Sequence, residues 1–271
     1  MTLTLQRTRK RAKYFAQEIA NGITIDMVYV LGGELLMGSP EDEEGRDESE
    51  SPQHLVKVPA FLMGKYSVTQ AQWRAVAGLP KEDRDIKLNP SRLEGDNLPV
   101  ERVSWLDATE FCVRLSCKTE RDYRSPSEAE WEYACRAGTT TPFHFGSTIS
   151  SEVADYDATS VYGQGATGED RGTTTLVGSL EVANNFGLYD MHGNVWEWCQ
   201  DHWHESYEEA PVDSSAWIDP NVSENAARLL RGGSWNYYPQ ACRSAYRFRS
   251  GAAYRCGSVG FRFVFSARIL P

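Results

Sequence analysis

The sequence predicts one α+β domain with little regular secondary structure. Three observations carry this reading. Apolar residues alternate in strand fashion near both ends of the chain; three well-capped helical patterns lie between residues 69 and 138; and from 139 to 190 Gly, Thr, Ser and Asn dominate while helical periodicity disappears. With 271 residues, 41% of them hydrophobic and 11% aromatic, the chain can bury a full core. No internal repeat and no linker divides it, so residues 22–271 read as a single domain behind an N-terminal basic arm or helix, 1–21.

The elements follow in order. RTRKRAKYFAQEIANG, 7–22, has a basic face and the look of a short helix or arm. ITIDMVYVLGGELLMGS alternates apolar residues and breaks at Gly32 and Gly33, which predicts two strands and a turn. The acidic run EDEEGRDESE, 41–50, reads as a solvated loop. Thr69 is placed to cap a helix that turns Trp73 and Val76 inward, and Ser104 to cap one whose Trp105, Ala108, Cys112 and Leu115 share a stripe. Ser127 and Glu130 form a capping box, with Gly138 as the stop of the third helix. The irregular stretch 139–190 needs something to hold it, and bound cations are one way. Strand patterns return in ARLLRGGSW, YRFR and GFRFVF.

Charge is unevenly spread. Residues 225–271 contain eight Arg, no Lys and no acidic residue, so with a net charge of −10 the first 224 residues carry −18. The acidic total argues against general nucleic-acid binding. The tail arginines suit buried forks to carbonyls and carboxylates of the acidic body, or an anion site. No secretory signal and no stretch of about 18 apolar residues is visible, so no membrane span is expected and the compartment reads as cytoplasmic. The six cysteines show no CxxC spacing and read as free thiols, with Cys112 and Cys135 in the core.

The most informative segment is NNFGLYDMHGNVWEWCQDHW, 184–203, which packs Trp196, Trp198 and Trp203 around one turn. It also offers oxygen ligands at short spacing: Asp190, the backbone at Gly193 and Val195, and Glu197, a set suited to a hard cation such as calcium or to plain turn chemistry. His202 and His204 read as structural or surface histidines.

GLYDMHGNVWEW, SPSEAEWEYACRAG, LLRGGSW and GFRFV, with MVYVLGGELLMGSP and VTQAQWRAV before them, occur in this order in the formylglycine-generating enzyme family, which the chain resembles over roughly residues 22–265. The resemblance implies a C-type-lectin-like α+β fold with bound calcium. It assigns one calcium site to Asp190, Gly193, Val195 and Glu197, and a second, through a variable loop, to positions near Asp155, Tyr156 and Glu169. It also implies what is missing. Family members that oxidise cysteine to formylglycine use a pair of cysteines after the GGS motif, and thiolates suit copper(I). Here Cys242 stands alone before Tyr246, and Tyr237 occupies the place of the first cysteine. No catalytic residue and no copper are therefore expected. The scaffold hosts both catalysis and pure binding, and the competing reading is an oxygen-dependent oxidoreductase acting on a protein cysteine.

A narrower resemblance covers RLLRGGSWNYYPQACRSAYRFRSGAAYRCGSVGFRFV. It looks like the variable region, about 229–264, of proteins diversified by retroelements that randomise template adenines. A randomised AAC or AAT codon yields Tyr, Phe, Ser, Gly, Ala or Cys among others, never Lys, Glu, Gln, Met or Trp. Tyr237, Tyr238, Ala241, Tyr246, Phe248, Ser250, Gly251, Tyr254, Cys256, Gly257 and Ser258 all fit that rule. Gln240 does not and joins Arg243, Ser244, Arg247, Arg249, Arg255, Gly260, Phe261 and Arg262 in the frame. Such a set has paratope chemistry: Tyr gives rigid amphipathic area, Ser and Gly adaptable polar contacts. The expectation is a non-enzymatic ligand-binding protein, with a protein as the favoured partner. Period-two alternation leaves open whether Tyr246 and Phe248 face outward or into the core.

Overall fold

The computed structural model describes residues 8–267. Ten strands and three helices form two four-stranded sheets, a two-stranded ribbon and a helical flank. The first sheet has the order β1 (Tyr14–Ala20), β2 (Ile23–Val30), β5 (Phe61–Gly64), β10 (Val264–Ser266), antiparallel throughout. β1 and β10, the first and last strands, form the two opposite edges of this sheet. β3 (Gly33–Met37) pairs only with β4 (His54–Val58). The last sheet runs β8 (Phe248–Gly251), β7 (Ala227–Arg231), β6 (Trp196–His202), β9 (Val259–Gly260), with β6 and β9 parallel.

The arm or helix expected over 7–22 is instead, from Tyr14 to Ala20, an edge strand. Alternation decides it: Ile19 is buried and Phe15 half-buried, with Tyr14 and Ala16 outward, and the backbone bonds that a helix would satisfy locally go to β2. Residue 7 and those before it lie outside the described residues. The break at Gly32 and Gly33 is present, but β2 and β3 part into different sheets instead of pairing.

The three helices, α1 (Gln70–Ala77), α2 (Trp105–Thr119) and α3 (Glu128–Arg136), each begin on a reciprocal capping box, at Thr69 with Gln72, Ser104 with Asp107 and Ser127 with Glu130. Trp73 from α1 stacks on Phe111 from α2, and Phe261 meets both edge-on. Ala108, Cys112 and Leu115 line that core as their stripe predicts, while Trp105 is half-buried. Trp131 and Cys135 of α3 pack with Val28, Val30 and Met63 in a second cluster.

From 139 to 190 no strand forms, only isolated bridges such as Phe143 with Gly146. Side chains fasten this stretch. The Asn184 amide donates to Ala134 O (2.6 Å) while its carbonyl accepts from Phe186 N and Leu188 N, and Asn194 both donates to and accepts from the Thr175 backbone. Among the described residues no helix is long and apolar enough to cross a membrane.

Candidate functional site

The tail arginines form the buried forks expected of them. Arg231 donates to Glu128 (3.0 Å) and Glu132 (2.6 Å), and Arg247 to Glu128 (2.7 Å) and Ser49 O (2.6 Å). Arg243 reaches Glu43 (2.6 Å) and Glu50 (2.6 Å). Arg262 ties Glu197 (3.0 Å) to the carbonyls of Gly64, Lys65 and Tyr189. All four guanidiniums are 0–4% exposed, so each fork is unscreened and geometrically fixed. The acidic loop 41–50 is thereby corrected: Glu43 and Glu50 are buried counter-ions, not solvated charge. Two frame arginines are peripheral. Arg249 is exposed and pairs with Glu205, and Arg255 forks onto Asp107 (2.7 and 2.8 Å), the residue that also caps α2.

Over this frame lies an aromatic face. Its floor is the Trp196 ring, fully buried. Phe248 stacks on it with centroids 5.1 Å apart, Tyr237 meets it edge-on at 5.1 Å, and Tyr246 leans on it at 6.0 Å. These three are half-buried, which resolves the open facing of Tyr246 and Phe248: ring bodies rest on the floor, while Arg247 between them turns inward. The Trp196 indole N–H is buried without a hydrogen-bond partner. Tyr238 and Tyr254 stand clear, 58% and 45% exposed. Ser250, Cys256 and Gly257 are half-buried and Gly251 is exposed.

Two candidates do not belong to the surface. Ala241 is 5% exposed, its side chain in the main core on the short 3-10 turn after Tyr238, and Ser258 is 2% exposed because its carbonyl accepts Trp196 N (2.8 Å) where β6 and β9 join. Codon compatibility cannot distinguish these from surface positions.

The glycines separate in the same way. A Cβ on Gly251 would come no nearer than 3.8 Å to another group, and one on Gly257 no nearer than 3.5 Å, ordinary contacts. On Gly260 of the frame and Gly233 of the GGS motif, which serve as frame glycines here, it would collide: 2.5 Å from Val100 O at Gly260 and 2.5 Å from Cys242 Sγ at Gly233, whose φ is +74°. The two candidate glycines can therefore accept side chains and the two frame glycines cannot.

Cys242 is fully buried, and burial pushes its thiol up, with Asp155 and Cys135 adding to the effect. Sequence reading missed what seals it. His192 spans Cys242 O (2.7 Å) and the His144 backbone N–H (3.0 Å). Because a backbone carbonyl only accepts, Nδ1 must carry the proton. Cys256 is the accessible thiol of the segment. Burial raises it, but hydrogen bonds from Ser258 and Tyr254 outweigh that and lower it. His202 is buried and accepts Asp219 N (2.9 Å), and His204 stacks on Trp217 at 3.6 Å, both structural roles.

The oxygen ligands divide unevenly. Glu197 is not free: besides Arg262 it takes the Trp131 indole (2.8 Å) and the Ser67 hydroxyl (2.7 Å). Asp190, in the left-handed region at φ 56°, accepts Gly178 N (2.7 Å), and burial raises it to about 6. Gly193 bridges Asp155, and Val195 is buried beside them. Tyr156 is buried with its hydroxyl on Ile149 O (3.3 Å), while Glu169 is exposed, 3.8 Å from the Arg171 guanidinium. Asp155 differs from all of these. It is 2% exposed, neither carboxylate oxygen accepts a hydrogen bond, and Arg171 approaches only to 3.6 Å. Burial drives it to about 7, opposed by Arg171 and by the nearby Thr175 hydroxyl, which stops short of hydrogen-bond geometry. Among the described residues no three His, Cys, Asp or Glu side chains converge for a metal. Of the acidic candidates, only Asp155 has the orphaned oxygens a hard cation would satisfy.

Comparison with known proteins agrees with this architecture. The chain is 34% identical over 222 residues to the chaperone protein LppX of Paenibacillus barcinonensis, covering 66% of this chain and 71% of that one. It is 28% identical to the formylglycine-generating enzyme of Thermomonospora curvata, covering 91% and 94%. It spans 38% of the length of a Chlamydia trachomatis serine/threonine-protein kinase, Pkn1, that it also matches. Among solved structures, PvdO from Pseudomonas aeruginosa superposes with a TM-score of 0.79 at 32% identity, covering 96% of this chain and all of that one. Treponema denticola variable protein 1 superposes with a TM-score of 0.70 at 25% identity, covering 95% and 100%. The model of the sulfatase-modifying factor enzyme 1-like domain matches residues 14–267, and the chain belongs to that family.

Proposed function

We propose that this chain is a binding protein without oxidase activity, whose aromatic face over Trp196 takes a partner, a protein in the first instance, through side chains that vary between copies of the gene. The observation that carries the reading is the division of the segment. Positions compatible with asparagine-codon randomisation present Tyr238 and Tyr254 to solvent and glycines with room for a side chain. The arginines and the frame glycines beneath have no freedom to change. Rigid aromatic anchors with small adaptable residues between them suit a paratope, and the fold shared with a Treponema denticola variable protein supports the reading.

The test is in the DNA. A near-copy of the segment encoding 229–264, close to the gene and with AAC or AAT at the surface candidates, is the expected result. A surrounding sequence with no such copy would leave a fixed surface and overturn the diversification.

The oxidase alternative draws on the formylglycine-generating relatives. Cys242 is sealed and Cys256 lacks a second thiol of its segment at the surface, so the reading expects no copper(I) binding and no oxidation of a cysteine-containing peptide. Turnover of such a peptide would reverse it. Calcium belongs to the proposal in one place: Asp155 would hold it, with the half-buried Asp190 as its acidic neighbour, and the ion would bond the oxygens that Arg171, at 3.6 Å, leaves without a hydrogen bond.

A further inference from the structure

A cleft of about 280 Å³ opens at the end of the aromatic face, between the loop before α2 and the turn leading into β9. Its rim includes Cys256 and Gly257, but its floor and far wall, Glu101, Arg102, Arg92, Thr173 and Trp235, come from outside the candidate variable set. Glu101 is 3% exposed. One of its oxygens accepts the Arg92 backbone N–H, while the other, Oε2, accepts no hydrogen bond and has the Arg102 guanidinium only at 3.7 Å. Thr173 Oγ1, also out of contact with solvent, has no hydrogen-bond partner either. Two buried oxygens of one cleft thus lack partners, and a buried polar group in that condition is destabilising until something supplies its hydrogen bond. Burial raises the Glu101 carboxyl, opposed by the Arg92 N–H and the Arg102 charge.

The surrounding charges narrow what could enter. A carboxylate would meet Glu101 Oε2. An ammonium would meet two guanidiniums, Arg92 and Arg102, neither of which donates a side-chain hydrogen bond among the described residues. A neutral group with a donor on one side and an acceptor on the other satisfies both. Its N–H faces Glu101 and Thr173, its oxygen faces an arginine, and its stem lies along the Trp235 ring, which is half-buried and held by its indole N–H on Gly257 O (3.1 Å). The volume suits one side chain and lies just below the range of whole-ligand pockets, about 300–1,000 Å³. Arg102 is held at φ 60°, a backbone strain of the kind that gathers at ligand sites.

We propose that this cleft is a fixed anchor site for a carboxamide, the side chain of a Gln or Asn presented by the partner. Diversification at Cys256 and Gly257 then reshapes only its rim. The role of the rim rests on the binding-face reading; the cleft's own preference does not.

The experiment titrates the full chain with N-acetylglutamine amide, N-acetylglutamate amide and N-acetyllysine amide, following the Trp235 indole N–H by NMR, with Trp235→Phe to identify the signal. Saturable shifts with the glutamine probe, at least tenfold tighter than with the other two, are expected. Glu101→Gln should weaken that binding at least tenfold and Thr173→Ala about threefold, the second guarding against a folding failure of the first. Tyr238→Ser and Tyr254→Ser should leave probe binding unchanged even if they abolish partner binding, which separates this inference from the face itself. No saturable shift, equal or tighter binding of the lysine or glutamate probe, or indifference to both cleft substitutions would overturn it.

Discussion

Arg243 and Arg249 stand six residues apart in the same segment and do opposite things. Arg243 is enclosed between Glu43 and Glu50; Arg249 reaches Glu205 across solvent. Removing one member of a buried pair strands the other, so Arg243→Ala should cost about 3–5 kcal/mol in urea unfolding. Arg249→Ala should cost no more than about 1 kcal/mol. The sequence made the forks legible as a class, since an all-arginine tail on an acidic body has few other uses, but not their partners, because Glu43 and Glu50 sit within a run that reads as solvent-facing. Asp201 gives a pH signature. It accepts Glu128 N (2.7 Å) and Trp217 N (2.8 Å), yet burial and the Glu128 carboxylate raise it to about 7 from an ordinary 3.8. A carboxyl that titrates higher folded than unfolded favours the fold while protonated. Its contribution is therefore full below about pH 4 and is lost as pH rises toward 7. The wild-type Tm should fall between pH 5 and 7 more steeply than that of Asp201→Asn; parallel profiles would remove Asp201 from the account.

At the scale of elements, what could be read from sequence was what is encoded locally. Each capping box places an acceptor three residues from its partner, so Ser104, Thr69 and Ser127 announce their helices. Ser104→Ala should cost about 1 kcal/mol, measured by chemical unfolding, with the rest of the fold intact. Non-local elements were not legible. β1 carries basic residues before it and weak alternation, and only its pairing with β2 makes it a strand. β6 looks like a tryptophan turn in sequence because a strand buried on nearly all of Trp196–His202 shows no alternation. The face suffered likewise: Ala241 and Ser258 satisfy the codon rule, but a 3-10 turn and the β6–β9 junction take them inside. At the second calcium position the resemblance implies Asp155, Tyr156 and Glu169 together, and of the three Asp155 is the buried carboxylate with unbonded oxygens. If a cation sits there, adding about 1 mM calcium should raise Tm, and Asp155→Asn should abolish the rise.

Across the whole molecule, the tail and the body interlock. Five arginines after residue 225 are buried or nearly so: Arg228, Arg231, Arg243, Arg247 and Arg262. Arg228 donates to Gln200 O, and the other four take carboxylates from the loop 41–50, from α3 and from β6. The segment that displays the aromatic face is thus held from below by contacts that its outward side chains do not share, and stability and recognition fall on different atoms. The most direct measurement is a urea-unfolding series on chains in which Tyr238, Ser250, Gly251, Tyr254 and Gly257 are replaced together by other residues an AAC or AAT codon can yield. The account predicts that these variants cluster within about 1 kcal/mol of the parent, as surface substitutions do. A series scattered over several kcal/mol, or failing to fold, would contradict it.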